Sequence, residues 1–158
     1  MEHSADIREA KQQDVDEMKE IWIEFIDFHS DIDPIFKRSR NGHERFGEFV
    51  SERIAKPDWH VLVARLDGGI VGHIMGTIQM RPPVFKSLRF GYIQDIAVRQ
   101  AYRRQGIGGQ LLDHLAQWFR RESVHRIELD VVTANSVSNG FWQHVGCHNL
   151  MTRYSMEV

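Results

Sequence analysis

Between residues 92 and 121 the hydrophobic pattern switches from a strand's alternation to a helix's three-to-four spacing, and it does so through a loop of arginines and glycines. Tyr92-Ile93-Gln94-Asp95-Ile96-Ala97-Val98 reads as a strand. Arg99 to Gly109 is the loop, and Leu111, Leu112, Leu115 and Trp118/Phe119 share one face of a helix from Gly108 to Arg121. Backbone N–H groups at the start of such a helix point outward, and the helix dipole favours negative charge there. Glycines let a phosphate approach the backbone closely, and Arg99, Arg103 and Arg104 add cationic, forked donors. The plain alternative is a glycine turn flanked by solvated arginines. Two better-known loops are excluded by residue identity. A P-loop needs Gly-Lys-Ser/Thr where Gly108 is followed by Gly109-Gln110, and a dinucleotide loop needs a third glycine where Leu111 stands.

The rest of the chain supplies a mixed architecture. Ile7 to Ala10 fits a first strand, and Asp14 through Glu17 has the spacing of an N-cap with an acidic partner. Val15, Met18, Ile21/Trp22, Phe25 and Phe28 mark a helix ended by Pro34. Phe46, Phe49/Val50 and Ile54 mark a second, stopped by Pro57. His60 to Leu66 and Ile70 to Gln79 alternate about Asp67-Gly68-Gly69, the signature of a tight hairpin, and Arg81-Pro82-Pro83 breaks the second strand. Arg126 to Val132 fits a further strand, Asn135 to Val145 a short helix, and His148 to Val158 a last strand. The order βααβββαβαβ predicts an α+β (α/β-like) domain with both faces of a sheet covered. No repeat or linker divides the chain, so one domain over 1–158 is expected.

Composition narrows the function classes. Of 158 residues, 42% are hydrophobic and 27% charged, which suits a globular domain with a continuous core. One cysteine, Cys147, excludes an internal disulfide and suggests a reducing, cytoplasmic setting, with the thiol read as a small core residue. No apolar run is long enough for a membrane span, and the acidic opening Met1 to Asp6 is unlike a signal peptide. A net charge of -2 argues against a general nucleic-acid partner. That total conceals a split: residues 1–36 carry eleven acidic and three basic groups, leaving seventeen basic and eleven acidic beyond. The nine histidines lack zinc-type spacing, including His144 and His148 around Cys147, so no metal is expected.

The loop segment resembles the GNAT superfamily of acyl-CoA-dependent N-acetyltransferases. The family's pattern, Arg or Gln, two residues, Gly, one residue, Gly or Ala, is matched by Arg103-Arg104-Gln105-Gly106-Ile107-Gly108. A second match is Leu129-Asp130-Val131, Asn135, then Trp142, Gly146 and Cys147, where many members carry Leu-Glu-Val, Asn, Tyr and Gly-Phe. Trp142 thus replaces the usual Tyr and Cys147 the usual Phe. The resemblance implies a mixed, mostly antiparallel sheet flanked by helices, with acetyl-CoA, the co-substrate, held between two splayed strands. It assigns the cofactor's arm to Ile96, Ala97 and Val98 and its pyrophosphate to Arg103, Arg104, Gln105, Gly106, Ile107, Gly108 and Gly109. Asn135 would contact the arm or cap the next helix, and Trp142 would pack on the arm or fill the core.

The implied reaction is attack of an unprotonated primary amine, of a small molecule or a peptide, on a thioester, which needs positioning and a base. Asp95 and Asp130 are the candidate bases, since they fall on the strands lining the implied opening, although alternation also allows either to face away and pair with an arginine. The usual general acid is a Tyr, which position 142 lacks; Tyr102 and Tyr154 are the substitutes considered. A leaving thiol with a pKa of about 8.5 makes that acid helpful rather than essential. His29 is a further proton-relay candidate on the acceptor side. The missing Tyr leaves open a non-catalytic acyl-CoA sensor, and homodimers are common in the family.

Overall fold

The computed structural model describes residues 4–158, so residues 1–3 of the acidic opening lie outside the described residues. Its elements are β1 (Asp6–Glu9), α1 (Val15–Ile32), α2 (Gly42–Ile54), β2 (Trp59–Leu66), β3 (Gly69–Met80), β4 (Arg89–Val98), α3 (Ile107–Arg121), β5 (Ile127–Glu128) and α4 (Ser136–His144). The sheet runs in sequence order β1-β2-β3-β4-β5, antiparallel throughout except for the parallel β4–β5 pair. It is therefore the mixed, mostly antiparallel sheet with flanking helices that the resemblance implies.

The alternating runs become a hairpin because Asp67 and Gly68 take φ of +53° and +84°, the doubly left-handed turn that matches strand twist. Gly69 belongs to β3, so the turn has two residues and not three. Each face of the sheet buries one helical stripe. Met18 and Ile21 of α1 and Phe46 and Val50 of α2 cover one side with Val61, Val63 and Met75. Leu111, Leu115, Trp118 and Phe119 of α3, with Trp142 of α4, cover the other with Leu62, Ile74 and Ile93. Close packing on that second side depends on Gly91, where a Cβ would stand 2.6 Å from Phe119 Cε1.

Four expectations need correction. Residues 148–158 form no strand and are exposed, with Leu150, Met151, Tyr154, Met156 and Val158 in solvent. Alternation alone does not make a strand where no backbone edge is paired with it. The strand expected over 126–132 is reduced to Ile127–Glu128. Asp14 does not cap α1 with its side chain; its carboxylate instead takes two hydrogen bonds from Arg8, at 2.7 and 2.9 Å, and one from the Lys11 N–H at 2.7 Å. A bidentate guanidinium from β1 is the stronger partner, and it ties the first strand to the first helix. Cys147 is exposed just past α4 and not part of the core. Among the described residues, no helix is long and apolar enough to cross a membrane.

Candidate functional site

β4 pairs unequally with its two neighbours, and a cleft opens where the pairing stops. On the β3 side its register runs from Arg89 to Val98, while on the β5 side only Gly91 and Tyr92 are paired. Between Ile93 and Asp95 the β3 register advances one residue on β3 and two on β4, so Gln94 is a bulge. The extra residue reverses the alternation: Ile93 faces α3, whereas Asp95 faces the side of α1 and α2. Beyond Tyr92 the chain at 129–132 diverges, and the gap is lined by Phe25 and His29 of α1, Ile93 to Ile96 of β4, Leu129 to Val132, and Ser138 and Trp142 of α4.

At the far end of β4 the arginine-glycine loop enters α3. Arg104 and Gly106 have φ of +63° and +79°, while Arg103 before them is extended; left-handed residues in such a turn are the kind that form anion-binding concavities of backbone N–H groups. Among the described residues, the N–H groups of Arg104 through Gly109 have no acceptor in the chain, and the first turn of α3 holds no acidic side chain. A Cβ at Gly109 would meet nothing within 4 Å, so the backbone there is open to a ligand. Ile107 is buried beneath the loop, Gly108 lies against the Phe141 ring, and Gln105 donates to the Ala101 carbonyl at 3.4 Å.

The three loop arginines do not act alike. Arg99 donates to Glu20 at 2.9 Å and to the Ile70 carbonyl at 3.0 Å. Arg103 donates through Nε to the Val98 carbonyl at 2.9 Å and lies 3.8 Å from Glu24, over the Phe28 ring. Glu24 also accepts from the Gln100 N–H at 2.7 Å, and Glu17 from the Ile70 N–H at 2.8 Å. The acidic face of α1 thus clamps the loop and the start of β3, which accounts for much of the charge split seen in the sequence. Arg104 is the exposed arginine beside the open N–H groups.

The remaining cleft residues form two networks. Asn135 is buried; its Oδ1 accepts the Ser138 N–H at 3.0 Å, capping α4, and its Nδ2 faces His29 Nε2 at 3.3 Å. His29 Nδ1 donates to the Phe25 carbonyl at 2.8 Å, which leaves Nε2 as the nitrogen facing Asn135. Asp130, 64% exposed, accepts from the Tyr92 hydroxyl at 3.0 Å and stands 3.8 Å from Arg153. Burial first, then the Asp130 hydrogen bond, pushes the Tyr92 hydroxyl up to about 12. Asp95 is largely buried and pairs with His73, not with an arginine. Ile96 packs toward α3, Ala97 is buried on the opposite face, and Trp142, 5% exposed, packs edge-on against Phe141 while lining the cleft.

Of the tyrosines considered as acid, Tyr102 points to Asp67 at 3.4 Å and Tyr154 is 89% exposed on the tail; neither lines the cleft. Tyr92 and His73 were missed by sequence reasoning. Each acquires its neighbour only through the tertiary fold, so the sole signal was that Tyr92 shares the strand of Asp95 and His73 lies on the strand before it.

The family model described as the acetyltransferase (GNAT) family matches residues 18–147. The chain belongs to that family. Its sheet and helices superpose on other family-like structures over nearly their whole length. The BH1408 protein of Bacillus halodurans, in a tetramutant form, is similar with a TM-score of 0.86 at 22% identity, covering 97% of this chain and 99% of that one. The aminoglycoside 6'-N-acetyltransferase AAC(6')-IG of Acinetobacter haemolyticus gives 0.75 at 15%, covering 97% and 99%. The ribosomal-protein-alanine N-acetyltransferase of Brucella melitensis biovar Abortus 2308 gives 0.71 at 19%, covering 98% and 99%. At these identities the likeness is one of fold, and the GNAT acetyltransferase family frames how the cleft is read.

Proposed function

We propose that this single-domain chain transfers an acetyl group from acetyl-CoA to the primary amine of a small molecule or peptide, both substrates being bound together. The observation that carries the reading is the run of unpartnered N–H groups from Arg104 to Gly109 standing at the end of a strand whose other edge is open to a cleft. The residues suit acetyl-CoA: the glycine-bearing loop fits a pyrophosphate, with Arg104 beside it, and the unpaired edge of Ile96 to Val98 suits the amide groups of an extended arm. Arg103 takes part by holding the Val98 carbonyl and the loop against α1. When bound, acetyl-CoA supplies the thioester carbon that the amine attacks. Trp142 lines the arm's path between β4 and α4, and Asn135 adjoins it through His29.

Asp95 and Asp130 remain the proposed acceptors of the amine's proton, Asp95 from the sheltered wall and Asp130 from the solvent side. Tyr92, kept protonated by its high pKa, donates its hydroxyl to one of these carboxylates, Asp130. Structures similar to this one are named for acetylating aminoglycosides and a ribosomal-protein alanine, which supports an amine acceptor of either size. A structure named AAC(6')-Iy contains CoA, which supports the donor. One observation favours a second reading, an acyl-CoA sensor: Trp142, an indole with no acidic proton, stands buried where the family's usual acid would be.

CoA release measured with acetyl-CoA and a panel of polyamines, aminoglycosides and peptides tests the reading. Turnover on at least one amine is expected; tight acetyl-CoA binding with no turnover favours the sensor. Gly106→Asp places a carboxylate in the N–H run at φ +79° and is expected to weaken acetyl-CoA at least about tenfold. Unchanged affinity overturns the loop assignment.

A further inference from the structure

Behind Asp95 lies a histidine that does not itself line the cleft. His73, on β3, is 0% exposed, and neither ring nitrogen has a hydrogen-bond partner. Its Nε2 stands 3.5 Å from Asp95 Oδ1, which is itself closed off and unbonded, while the Asp95 side chain keeps one tenth of its surface toward the cleft. A buried polar atom without a partner is costly, and here three of them meet. Packing alone gives no reason for an imidazole. The ring lies beside Phe46 of α2, centroids 5.9 Å apart, and its register partners are Val63 and Ala97, so a hydrocarbon would suit the site.

The Gln94 bulge explains why the two groups meet. Without the extra residue Asp95 would face the same side as Ile93, toward α3; with it, the carboxylate lies over β3 against His73. The other titratable groups at the cleft are His29 of α1, whose Nε2 is taken by Asn135, and Asp130, which is taken by Tyr92 and lies near Arg153. From α2 the ring meets Phe46, which carries no charge.

We propose that His73 is a positioning residue for Asp95. In the working enzyme the 3.5 Å separation closes, so that Nε2–H donates to Oδ1 and Oδ2 is turned toward the cleft. An ammonium acceptor then gives one proton to Oδ2, leaving a neutral amine and a protonated Asp95; the N–H bond breaks, the O–H bond forms, and the proton later leaves to solvent through the cleft. His73 touches neither substrate.

The assignment rests on the proposed amine acetylation, so two readouts separate their failures. In proton NMR, the His73 Nε2–H is expected as a downfield, exchange-protected resonance that disappears in Asp95→Ala; no such resonance in the folded wild type overturns the proposal whether or not any amine is acetylated. Where an amine is turned over, His73→Phe is expected to lower kcat on the order of tenfold and to move the acid limb of its pH profile, with KM for acetyl-CoA within about twofold. His73→Gln, which restores a donor, is expected to recover most of kcat. In an Asp95→Asn background the His73→Phe change is expected to cost less than about twofold. A folded His73→Phe enzyme with unchanged kcat and pH profile overturns the proposal, as does His73→Gln behaving no better than His73→Phe. A wild type that acetylates no amine overturns the proposed function and leaves the resonance to decide the hydrogen bond.

Discussion

The two edges of β4 are opposites. Toward β3 the strand is paired along its length; toward β5 pairing ends at Tyr92 and a cleft begins. The paired side belongs to an antiparallel sheet, interrupted by the Gln94 bulge and tied at its start by Arg8 and Asp14. The open side depends on a two-residue strand and a glycine pressed against Phe119. The difference teaches that the opening is created by withheld hydrogen bonds more than by unusual side chains, and that the stability of one edge is what lets the other stay open. An exposed edge is an aggregation liability in most sheets. Here α1 and α4 flank it and restrict what reaches it.

The largest expected effect breaks the open side. Gly91→Val drives a branched side chain into Phe119, which is fully buried, and should cost about 3 kcal/mol in urea denaturation while weakening acetyl-CoA binding, because the β4–β5 rung moves with it. A midpoint equal to wild type would mean the Phe119 ring yields freely.

Next, Asp14→Asn tests the paired side alone. It should cost about 2 kcal/mol at neutral pH and leave acetyl-CoA affinity unchanged. The Arg8 hydrogen bonds hold the Asp14 carboxyl below its ordinary range. Its stabilisation is therefore complete above that ordinary range and is lost as pH falls through the lowered native value, so wild type and variant should converge in acid. A gap that persists in strong acid would deny the ion pair its role.

The smallest effect sharpens the boundary residue. Tyr92 titrates near 12 in the fold and near 10 when unfolded. Between those values only the unfolded chain loses the proton, so stability is constant below 10 and falls as pH rises toward 12. Tyr92→Phe should lack this fall, a difference on the order of 1 kcal/mol once partial solvent exposure is allowed for. Parallel alkaline unfolding curves for the two proteins would show that Tyr92 is not so perturbed.

Much of the fold was legible because its signals are local. The Asp-Gly turn, the helical stripes of α1, α2 and α3, and the prolines that end α1 and β3 act within a few residues of themselves. The glycine-bearing loop that opens α3 was legible for the same reason, since the left-handed turn at Gly106 is a property of its own backbone. The tail at 148–158 was misread because Tyr154, Met156 and Val158 alternate without a partner edge. Arg99 and Arg103 read as phosphate donors from spacing, yet Glu20 and Glu24, far away in sequence, lie within reach of them. Nothing local announces such a pairing.

The sequence by itself determined the family, the order of most elements and the loop that opens α3, because periodicity, turn chemistry and a glycine motif are properties of neighbouring residues. Only the tertiary structure decided that Gln94 is a bulge, that β5 stops after two residues, and that Asp95 meets His73 while Asp130 meets Tyr92. Those outcomes depend on register between strands. A shift of one residue moves a side chain to the other face of the sheet, and the balance that sets register is a sum over both packed faces that no short segment contains.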